Sequence, residues 1–122
     1  MKYLLTYNES IRHFLKPKNE EDIFKELEKL SDSDRIIKII KYNLPYEWLP
    51  DNLTVKGDLN CYINKLTELP DNLNVNDNLD CSYNQITKLP DNLTVNGNLY
   101  CYNNKLPKDI KNPKGVKGRM FI

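Results

Sequence analysis

The chain has 122 residues, a length that predicts a single domain. Its 18 basic and 17 acidic residues give a formal net charge of +1, which does not predict a nucleic-acid-binding surface. The only apolar run near the N-terminus is Tyr3-Leu4-Leu5, and it is too short for a signal-peptide core or a membrane span. We therefore expect a cytoplasmic protein that has neither a nucleic-acid nor a membrane partner.

The charges are unevenly distributed along the chain. Residues 1–48 carry nine basic and nine acidic side chains, whereas residues 49–106 carry four basic and seven acidic ones, a net charge of −3. Residues 107–122 carry five basic residues and one acidic residue, a net charge of +4. This basic tail is short and interrupted, so we interpret it as a solvated end and not as a nucleic-acid-binding segment.

Residues 1–48 predict an α-helical N-terminal cap. Ser10 is a candidate start for a short helix, and Asn19 is a stronger candidate because three acidic residues follow it in the first turn. A third helix is predicted after Ser31 or Ser33. Its four isoleucines exceed what a surface helix needs, so we expect it to cover the open end of a repeat region. The predicted apolar contacts are Ile23, Phe24, Leu27 and Leu30 of the second helix, Ile36, Ile37, Ile39 and Ile40 of the third, and Leu44, Tyr46 and Trp48 at the joint with the repeats.

Residues 49–108 contain three repeats with a period of 20 residues and no insertion. The first half of each repeat reads Leu-Pro-Asp-Asn-Leu-x-Val, and the second half reads Leu-x-Cys-x-x-Asn-x-Leu or Ile. Between the halves, Gly57, Asp77 and Gly97 predict a tight bend with left-handed backbone geometry. A fixed period of this length predicts a solenoid in which each repeat packs on the next. The first halves begin at Leu49, Leu69 and Leu89, and the second halves begin at Leu59, Leu79 and Leu99.

The second half of each repeat predicts a short strand, because Leu and Cys alternate with other side chains. We expect these strands to form a short parallel sheet whose Leu and Cys side chains lie in the core. The first half contains a proline, so we expect an extended return path and not a helix. The asparagine after each strand is predicted to bond to backbone groups of its own and the adjacent turn. These asparagines, Asn64, Asn84 and Asn104, would form a structural ladder along the repeats.

Residues 109–122 predict a C-terminal capping segment that contains a terminal strand. Residues 118–122 align with residues 97–101 at a spacing of 21 instead of 20. The strand would therefore add a fourth member to the sheet. The side chains predicted to point into the core are Met120 and Ile122, and those predicted to point outward are Arg119 and Phe121.

The repeats resemble the short leucine-rich repeats of bacterial secreted effectors and, more closely, those of phage and large-virus proteins with runs of Leu-Pro-Asp-Asn-Leu-Thr-Val-x-Gly. The resemblance covers Leu49 to Pro107. It implies a leucine-rich-repeat solenoid with a short parallel β-sheet on its concave face and an extended convex side. It also implies a protein-interaction module, encoded by a phage or virus and acting in the host cytoplasm. The effector ligases carry a catalytic domain after the repeats, and because this chain ends at Ile122 we do not expect that activity.

Three cysteines, Cys61, Cys81 and Cys101, occupy the same position of successive repeats. Because parallel strands lie about 4.8 Å apart, their thiols would form a line and not the tetrahedron that zinc requires. A disulfide between neighbours would leave one cysteine over, and stacked side chains are poorly aimed for it. We therefore interpret the three thiols as small apolar core groups, and we expect no metal and no cofactor.

Two other residue types invite a catalytic interpretation. His13 is the only histidine, and no nucleophile or carboxylate is placed beside it by the sequence, so a structural role is favoured. Asp51, Asp71 and Asp91 recur after the prolines. Each copy sits in the same environment, whereas acid–base pairs need environments that separate two pKa values. Turn formation is therefore favoured over catalysis or calcium binding for these aspartates.

The outward positions of the strands and strand exits carry the candidate partner-binding residues. Tyrosine and arginine are common binding anchors, and they concentrate here. The alternative is that the tyrosines only pack on one another. The candidate residues on the concave face are Asn60, Tyr62, Asp80, Tyr83, Tyr100, Tyr102, Arg119 and Phe121.

We expect a non-enzymatic protein–protein interaction module that binds a host or viral protein through the concave face and its flanks. Four strands span only about 15 Å, whereas a stable interface buries about 800 Å² on each partner, so a tight partner must also contact the flanks. The alternative function is a structural or self-assembling module that uses the ends of the solenoid, and this leaves weak self-association open. An enzyme ranks third because it would need reactive thiols or a reactive His13.

Overall fold

The computed structural model describes residues 19–122. The helix predicted after Ser10, and His13, lie outside this range. Within it the chain forms two α-helices, one short 3₁₀ helix and seven two-residue strands. The helices are α1 (Glu20–Glu28), α2 (Asp32–Lys41) and the 3₁₀ turn Tyr46–Trp48. The strands are β1 (Thr54–Val55), β2 (Leu59–Asn60), β3 (Asn74–Val75), β4 (Leu79–Asp80), β5 (Thr94–Val95), β6 (Leu99–Tyr100) and β7 (Met120–Phe121).

Side-chain caps fix where the two helices begin. The Asn19 side chain accepts a hydrogen bond from the Asp22 N–H (2.9 Å) at the start of α1, because the first N–H groups of a helix have no partner within the helix. The Ser31 hydroxyl accepts one from the Asp34 N–H (3.2 Å) at the start of α2. Ser33, the other candidate cap, is buried and accepts a hydrogen bond from the Lys56 N–H (2.9 Å). This contact ties α2 to the segment that follows β1.

Helix α2 buries two sides of its surface, as the excess of isoleucine predicts. Ile36 and Ile40 belong to the core of the strand region, and α2 contacts β1 directly. Ile39 lies in a second cluster with three residues of the helical segment, namely Ile23, Leu27 and Leu44. Tyr46 packs against both clusters. The helices therefore cover the open edge of the first strand and extend the core of the strand region.

The strands form two parallel sheets. One sheet has the order β1-β3-β5, and the other has the order β2-β4-β6-β7. Partner residues are 20 positions apart, as in the pairing of Leu59 with Leu79 and Leu99, and Leu99 pairs with Met120 in the offset of 21 that the alignment predicts. Leu, Val, Ile and Cys side chains from both sheets fill the space between them. The buried side chains of this core are Val55, Leu59, Cys61, Leu66, Leu69, Leu73, Val75, Leu79, Cys81, Ile86, Leu93, Val95, Leu99, Cys101 and Val116, with Ile36 and Ile40 of α2.

The three-stranded sheet is a feature that the sequence did not predict. The return path is extended, as expected from its proline, but it also pairs with its neighbours. The Asn74 N–H donates to the Leu53 carbonyl (2.9 Å), and the Thr94 N–H donates to the Leu73 carbonyl (3.0 Å). Both sides of the core are therefore bounded by paired backbone.

The predicted bend is present before β2, β4 and β6, but its backbone is left-handed only before β2. Gly57 has a positive φ of 102°, whereas neither Asp77 nor Gly97 has a positive φ. Gly97 is needed for a different reason, which is close approach between repeats. A Cβ atom on Gly97 would touch the Asn78 side-chain oxygen and would lie 2.9 Å from the Asp77 carbonyl carbon.

The prediction that Ile122 closes the core is also wrong, because its side chain is 51% exposed. Val116 closes the core instead. It is buried and forms a parallel bridge with Val95 at the edge of the smaller sheet. Met120 is half-buried against the same core. The C-terminal segment therefore covers both sheets, the smaller one with Val116 and the larger one with Met120.

Candidate functional site

The candidate residues lie on the solvent side of the four-stranded sheet, which we name the outer face. Tyr62, Tyr83 and Tyr102 are 49%, 56% and 40% exposed. The structure therefore places three large aromatic side chains in solvent on one short sheet. Of the other candidate residues, Asn60 and Arg119 are exposed, whereas Asp80, Tyr100 and Phe121 are half-buried.

A ladder of side-chain oxygens holds the start of each strand of the outer face. Asp58 Oδ1 accepts from the Asn78 N–H (2.8 Å), and Asn78 Oδ1 accepts from the Asn98 N–H (2.8 Å). Asn98 Oδ1 accepts from the Arg119 N–H (2.9 Å). The sequence reasoning missed this ladder, although Asp or Asn at the same position of three repeats was a usable signal. The ladder joins the starts of the adjacent strands that the exposed tyrosines follow.

A second ladder lies at the exit of the strands, where Asn84 bonds to two repeats. Its Oδ1 accepts from the N–H groups of Asn64 and Leu66, both at 2.9 Å. Its Nδ2 donates to the carbonyls of Cys61 (3.0 Å) and Cys81 (2.9 Å), and also to that of Ser82. Asn84 is 7% exposed, so these bonds are largely shielded from water.

The other two asparagines of this ladder make fewer contacts. Asn104 Oδ1 accepts from the Ile86 N–H (2.9 Å), and its Nδ2 donates to three carbonyls of the same and the preceding repeat. Asn64 belongs to the first repeat and has no earlier repeat to bond to. Within residues 19–122 its side chain makes no hydrogen bond, and its role is to supply a backbone N–H to Asn84. Both side chains are half-buried.

Three aromatic residues at the C-terminal end of the outer face pack on one another. The rings of Tyr100 and Phe121 are stacked, with centroids 5.0 Å apart and planes at 8°. The Tyr102 ring is tilted against Phe121 at 6.3 Å. Mutual packing therefore takes up much of Tyr100 and Phe121, whereas Tyr62 and Tyr83 make no ring contact within residues 19–122.

Tyr62, Ser82 and Tyr102 occupy the same position of three successive repeats. The backbone keeps them in register, because the Ile63 N–H donates to the Ser82 carbonyl (3.1 Å) and the Tyr83 N–H donates to the Tyr102 carbonyl (2.7 Å). Ser82 is 4% exposed. Two exposed rings thus stand on either side of a small, buried residue.

The backbone at the strand exits adopts a conformation that is unusual for its residues. Ile63, Tyr83 and Asn103 have φ values of 57°, 59° and 53°, in the left-handed region that non-glycine residues rarely adopt. The Asn84 and Asn104 side chains bond to carbonyls within this turn. The turn holds the side chain of Tyr83 outside the sheet, where it is exposed.

The three thiols lie in the core, where burial disfavours their thiolate forms. Burial, with the Asp80 carboxylate as a smaller cause, raises the pKa of Cys61 to about 12 and that of Cys101 to about 11. Burial and the neighbouring thiols raise the pKa of Cys81 as well. A thiol is nucleophilic as its thiolate, so these environments disfavour chemistry at the cysteines.

Two further observations concern the described residues only. No three His, Cys, Asp or Glu side chains in 19–122 form a cluster that could hold a metal ion. No helix in the same range combines the length and the apolar character needed to cross a bilayer.

A cavity of about 660 Å³ flanks the C-terminal repeat. Its apolar walls include Leu89, Pro90 and Ile110, and its rim includes Lys88 and Lys111. This cavity is lined by the end of the second repeat, the third repeat and the C-terminal segment and not by the outer face. It offers a flank that a large partner could contact.

Comparison with protein-family models, curated protein sequences and solved structures found no match.

Proposed function

We propose that the chain is a leucine-rich-repeat solenoid and acts as a non-enzymatic protein-interaction module. The observation that carries the proposal is the exposure of Tyr62, Tyr83 and Tyr102 beside a sheet whose adjacent strands are joined by side-chain ladders. Tyrosine offers a large contact area with few rotatable bonds, so fixing it costs little entropy. A rigid sheet reduces the ordering cost further.

The small area of the outer face and the resemblance of the repeats to viral ones both bear on the kind of partner. The outer face is small, so a partner that binds tightly also contacts a flank such as the cavity beside Leu89 and Ile110. The likeness of the repeats to those of phage and large-virus proteins supports a host or viral protein as the partner and the host cytoplasm as the location.

Affinity capture with a triple variant tests this proposal. The chain is immobilised and exposed to host lysate beside the variant Tyr62→Ala, Tyr83→Ala, Tyr102→Ala. A matched control carries alanine at three exposed residues outside both the outer face and the flanking cavity, which are Thr67, Asn76 and Lys105. We expect the control to retain the captured proteins and the tyrosine variant to lose them. Equal capture by a folded tyrosine variant would exclude the outer face as the binding surface.

A second candidate function is self-assembly through the ends of the repeat array. Strands β2 and β7 are the two edges of the larger sheet, and an unpaired strand edge is a template for a further strand. Ile63 and Ile122 are exposed beside these edges, at 65% and 51%.

The oligomeric state decides this second candidate. Light scattering after size exclusion, at rising protein concentration, should show growing mass, since head-to-tail contacts join the two ends of the array without closing it. The double variant Ile63→Lys, Ile122→Lys should suppress the growth. A constant monomer mass at every concentration would eliminate self-assembly.

A further inference from the structure

We propose that the flanking cavity beside the third repeat receives an acidic segment of the partner protein. The segment places one apolar side chain between Leu89 and Ile110 and its carboxylates against the lysines of the rim. This inference rests on the proposed binding function and names the chemistry that the partner presents at the flank. Three observations support it, which are the uncovered apolar walls, the path of the C-terminal segment and the charge of the rim.

The apolar walls of the cavity are incompletely covered. Leu89 is half-buried, whereas Leu69, at the same position of the second repeat, is buried. The second repeat has another repeat on each side, but the third repeat has only the C-terminal segment beyond it. Ile110, on the opposite wall, is also half-buried and, among the described residues, does not pack against the core. The volume of about 660 Å³ lies in the range of about 300–1,000 Å³ that is typical of ligand pockets, so an apolar side chain of a partner can enter.

The C-terminal segment follows its own turns along the cavity. The Ile110 N–H donates to the Pro107 carbonyl (3.1 Å), which closes one turn within the segment. Farther on, the Gly115 carbonyl accepts a hydrogen bond from the Val95 N–H (3.0 Å) and joins the segment to the smaller sheet. Among the residues that the structure describes, no hydrogen bond joins 108–114 to the repeats. The two walls are therefore held from opposite sides, and the space between them stays open.

The rim of the cavity is positively charged. Lys88 stands on the side of the repeats, and Lys111 and Lys114 stand on the side of the C-terminal segment. All three are exposed, and none forms an ion pair with a residue in 19–122. Asp91 is the one carboxylate of the lining, so three lysines against one aspartate leave a net charge of +2. A carboxylate that enters the cavity therefore meets ammonium groups from both walls.

A second cavity shows that this charge is particular to the C-terminal end. It has a volume of about 420 Å³ and lies between the first and second repeats. Its lining contains three carboxylates, including that of Glu68, and no basic residue. Glu68 and Lys88 occupy the same position of successive repeats, so the charge is reversed from one cavity to the other. An acidic peptide should therefore enter the flanking cavity and avoid the acidic one.

The test uses short peptides that differ in charge or in the apolar side chain. Acetyl-Glu-Leu-Glu-Glu amide is titrated into the full chain at low salt, and backbone amide signals are followed by NMR. The first matched control is acetyl-Gln-Leu-Gln-Gln amide, which is neutral and of nearly the same shape. The second is acetyl-Glu-Ser-Glu-Glu amide, which keeps the charge and lacks the apolar side chain. We expect saturable shifts at Lys88, Leu89, Ile110 and Asn112 with the acidic peptide.

The controls should bind more weakly for separate reasons. The neutral peptide should lose about tenfold in affinity, because three exposed ion pairs each contribute roughly a factor of two. The serine peptide should lose at least about tenfold, because the leucine side chain is no longer buried. Equal binding of the neutral peptide, or an acidic peptide that gives no saturable shifts or shifts that map elsewhere, would overturn the inference. Equal binding of the serine peptide would reduce the cavity to a general anion-binding patch and would overturn it as well.

Charge reversal on the rim separates the cavity from the charge of the whole chain. Lys88→Glu copies Glu68 of the second repeat, so the fold should persist while the affinity for the acidic peptide falls about tenfold. Lys111→Glu should act in the same direction, and Asp91→Asn should strengthen binding. The matched control Lys56→Glu lies in the first repeat, outside the lining of both cavities, and should leave the affinity unchanged. Equal losses in the variants at Lys56 and Lys88 would refute the role of the cavity.

The outcomes for the cavity and for the proposed function are distinguishable. Loss of partner capture in the tyrosine triple variant, together with equal binding of the acidic and neutral peptides, would retain the binding function and reject the cavity. Selective binding of the acidic peptide with unchanged capture by the tyrosine variant would retain the cavity and reject the outer face as the partner surface. Capture by the double variant Lys88→Glu, Lys111→Glu should weaken, and unchanged capture would show that the partner does not use the cavity.

Discussion

Replacing Asn84 with alanine removes a side chain that bonds to the backbone of two adjacent repeats. Two of the groups that lose a partner are buried, namely the Leu66 N–H and the Cys61 carbonyl. The Cys81 carbonyl keeps a bond from the Asn104 side chain. The substitution therefore measures what the ladder contributes between the first and second repeats.

The expected magnitude follows from these two groups. A buried backbone group without a partner costs about 1–3 kcal/mol, so the free energy of unfolding should fall by about 2–6 kcal/mol in total. This is a large fraction of the stability of a small domain, which is about 5–15 kcal/mol. Asn104→Ala should cost less, because Asn104 is half-buried and serves one N–H group. Asn64→Ala should cost under about 1 kcal/mol, since no hydrogen bond of its side chain is lost within 19–122.

Urea unfolding followed by far-ultraviolet circular dichroism measures the three variants. Fluorescence of Trp48, the only tryptophan, gives a second probe at the joint between helices and strands, where its ring meets Phe24 edge-on at 5.8 Å. Coincident transitions would justify a two-state analysis. Equal losses at Asn64, Asn84 and Asn104, or a loss below about 1 kcal/mol at Asn84, would refute the ladder as a source of stability.

Three other perturbations test separate contacts. Asn74→Thr should raise the free energy of unfolding in urea by about 1 kcal/mol, because Asn74 Oδ1 is buried without a hydrogen-bond partner in 19–122 and threonine suits a strand. Gly97→Ala should lower the thermal midpoint, because the added Cβ would touch the Asn78 side chain and the neighbouring backbone. Urea unfolding at stepped pH should show stability lost above pH 9, the ordinary thiol pKa, because burial raises the pKa of Cys61 and Cys81 in the folded state. The loss should be about 1.4 kcal/mol per pH unit for each thiol until the folded pKa is reached.

Controls accompany each of these measurements. The reverse change Thr54→Asn should destabilise the first repeat, and a neutral result at both positions would mean that the Asn74 oxygen is solvated. An unchanged midpoint for Gly97→Ala would contradict the close approach between repeats. In the pH series the slope is compared with that of the double variant Cys61→Ala, Cys81→Ala, and an identical slope would assign the alkaline loss to other groups, such as Tyr46, whose pKa is also raised by burial.

The repeats made the larger sheet predictable because one period sets both its register and its inward side chains. Leu59, Leu79 and Leu99 pair as their spacing of 20 requires. The helix starts were also predictable, since Asn19 and Ser31 satisfy local N–H groups that the chain cannot satisfy otherwise. These features depend on neighbours in sequence or on a fixed repeat.

Features that depend on contacts between one repeat and the next could not be predicted from the sequence pattern. The strands of the smaller sheet are two residues long, as at Thr54–Val55, which is too short to produce a visible alternation. The polarity of Asp58 and Asn78 predicted exposure, whereas the structure uses their oxygens to bond the next strand. Ile122 was assigned to the core from alternation alone, but Val116 closes it, because the C-terminal segment first reaches the smaller sheet at Val95.

In the candidate site, too, the sequence predicts which residues point outward but not how far each of them is exposed. Tyr100 and Tyr102 are equivalent on the outer face from sequence, yet Tyr100 is half-buried in a stack with Phe121 because β7 adds a neighbour at that register. Ser82 has no signature of a binding residue in sequence. It is nevertheless 4% exposed, and the backbone holds it in register between the more exposed Tyr62 and Tyr102. How far each tyrosine is exposed is therefore decided by what occupies the adjacent strand, and not by the tyrosine itself.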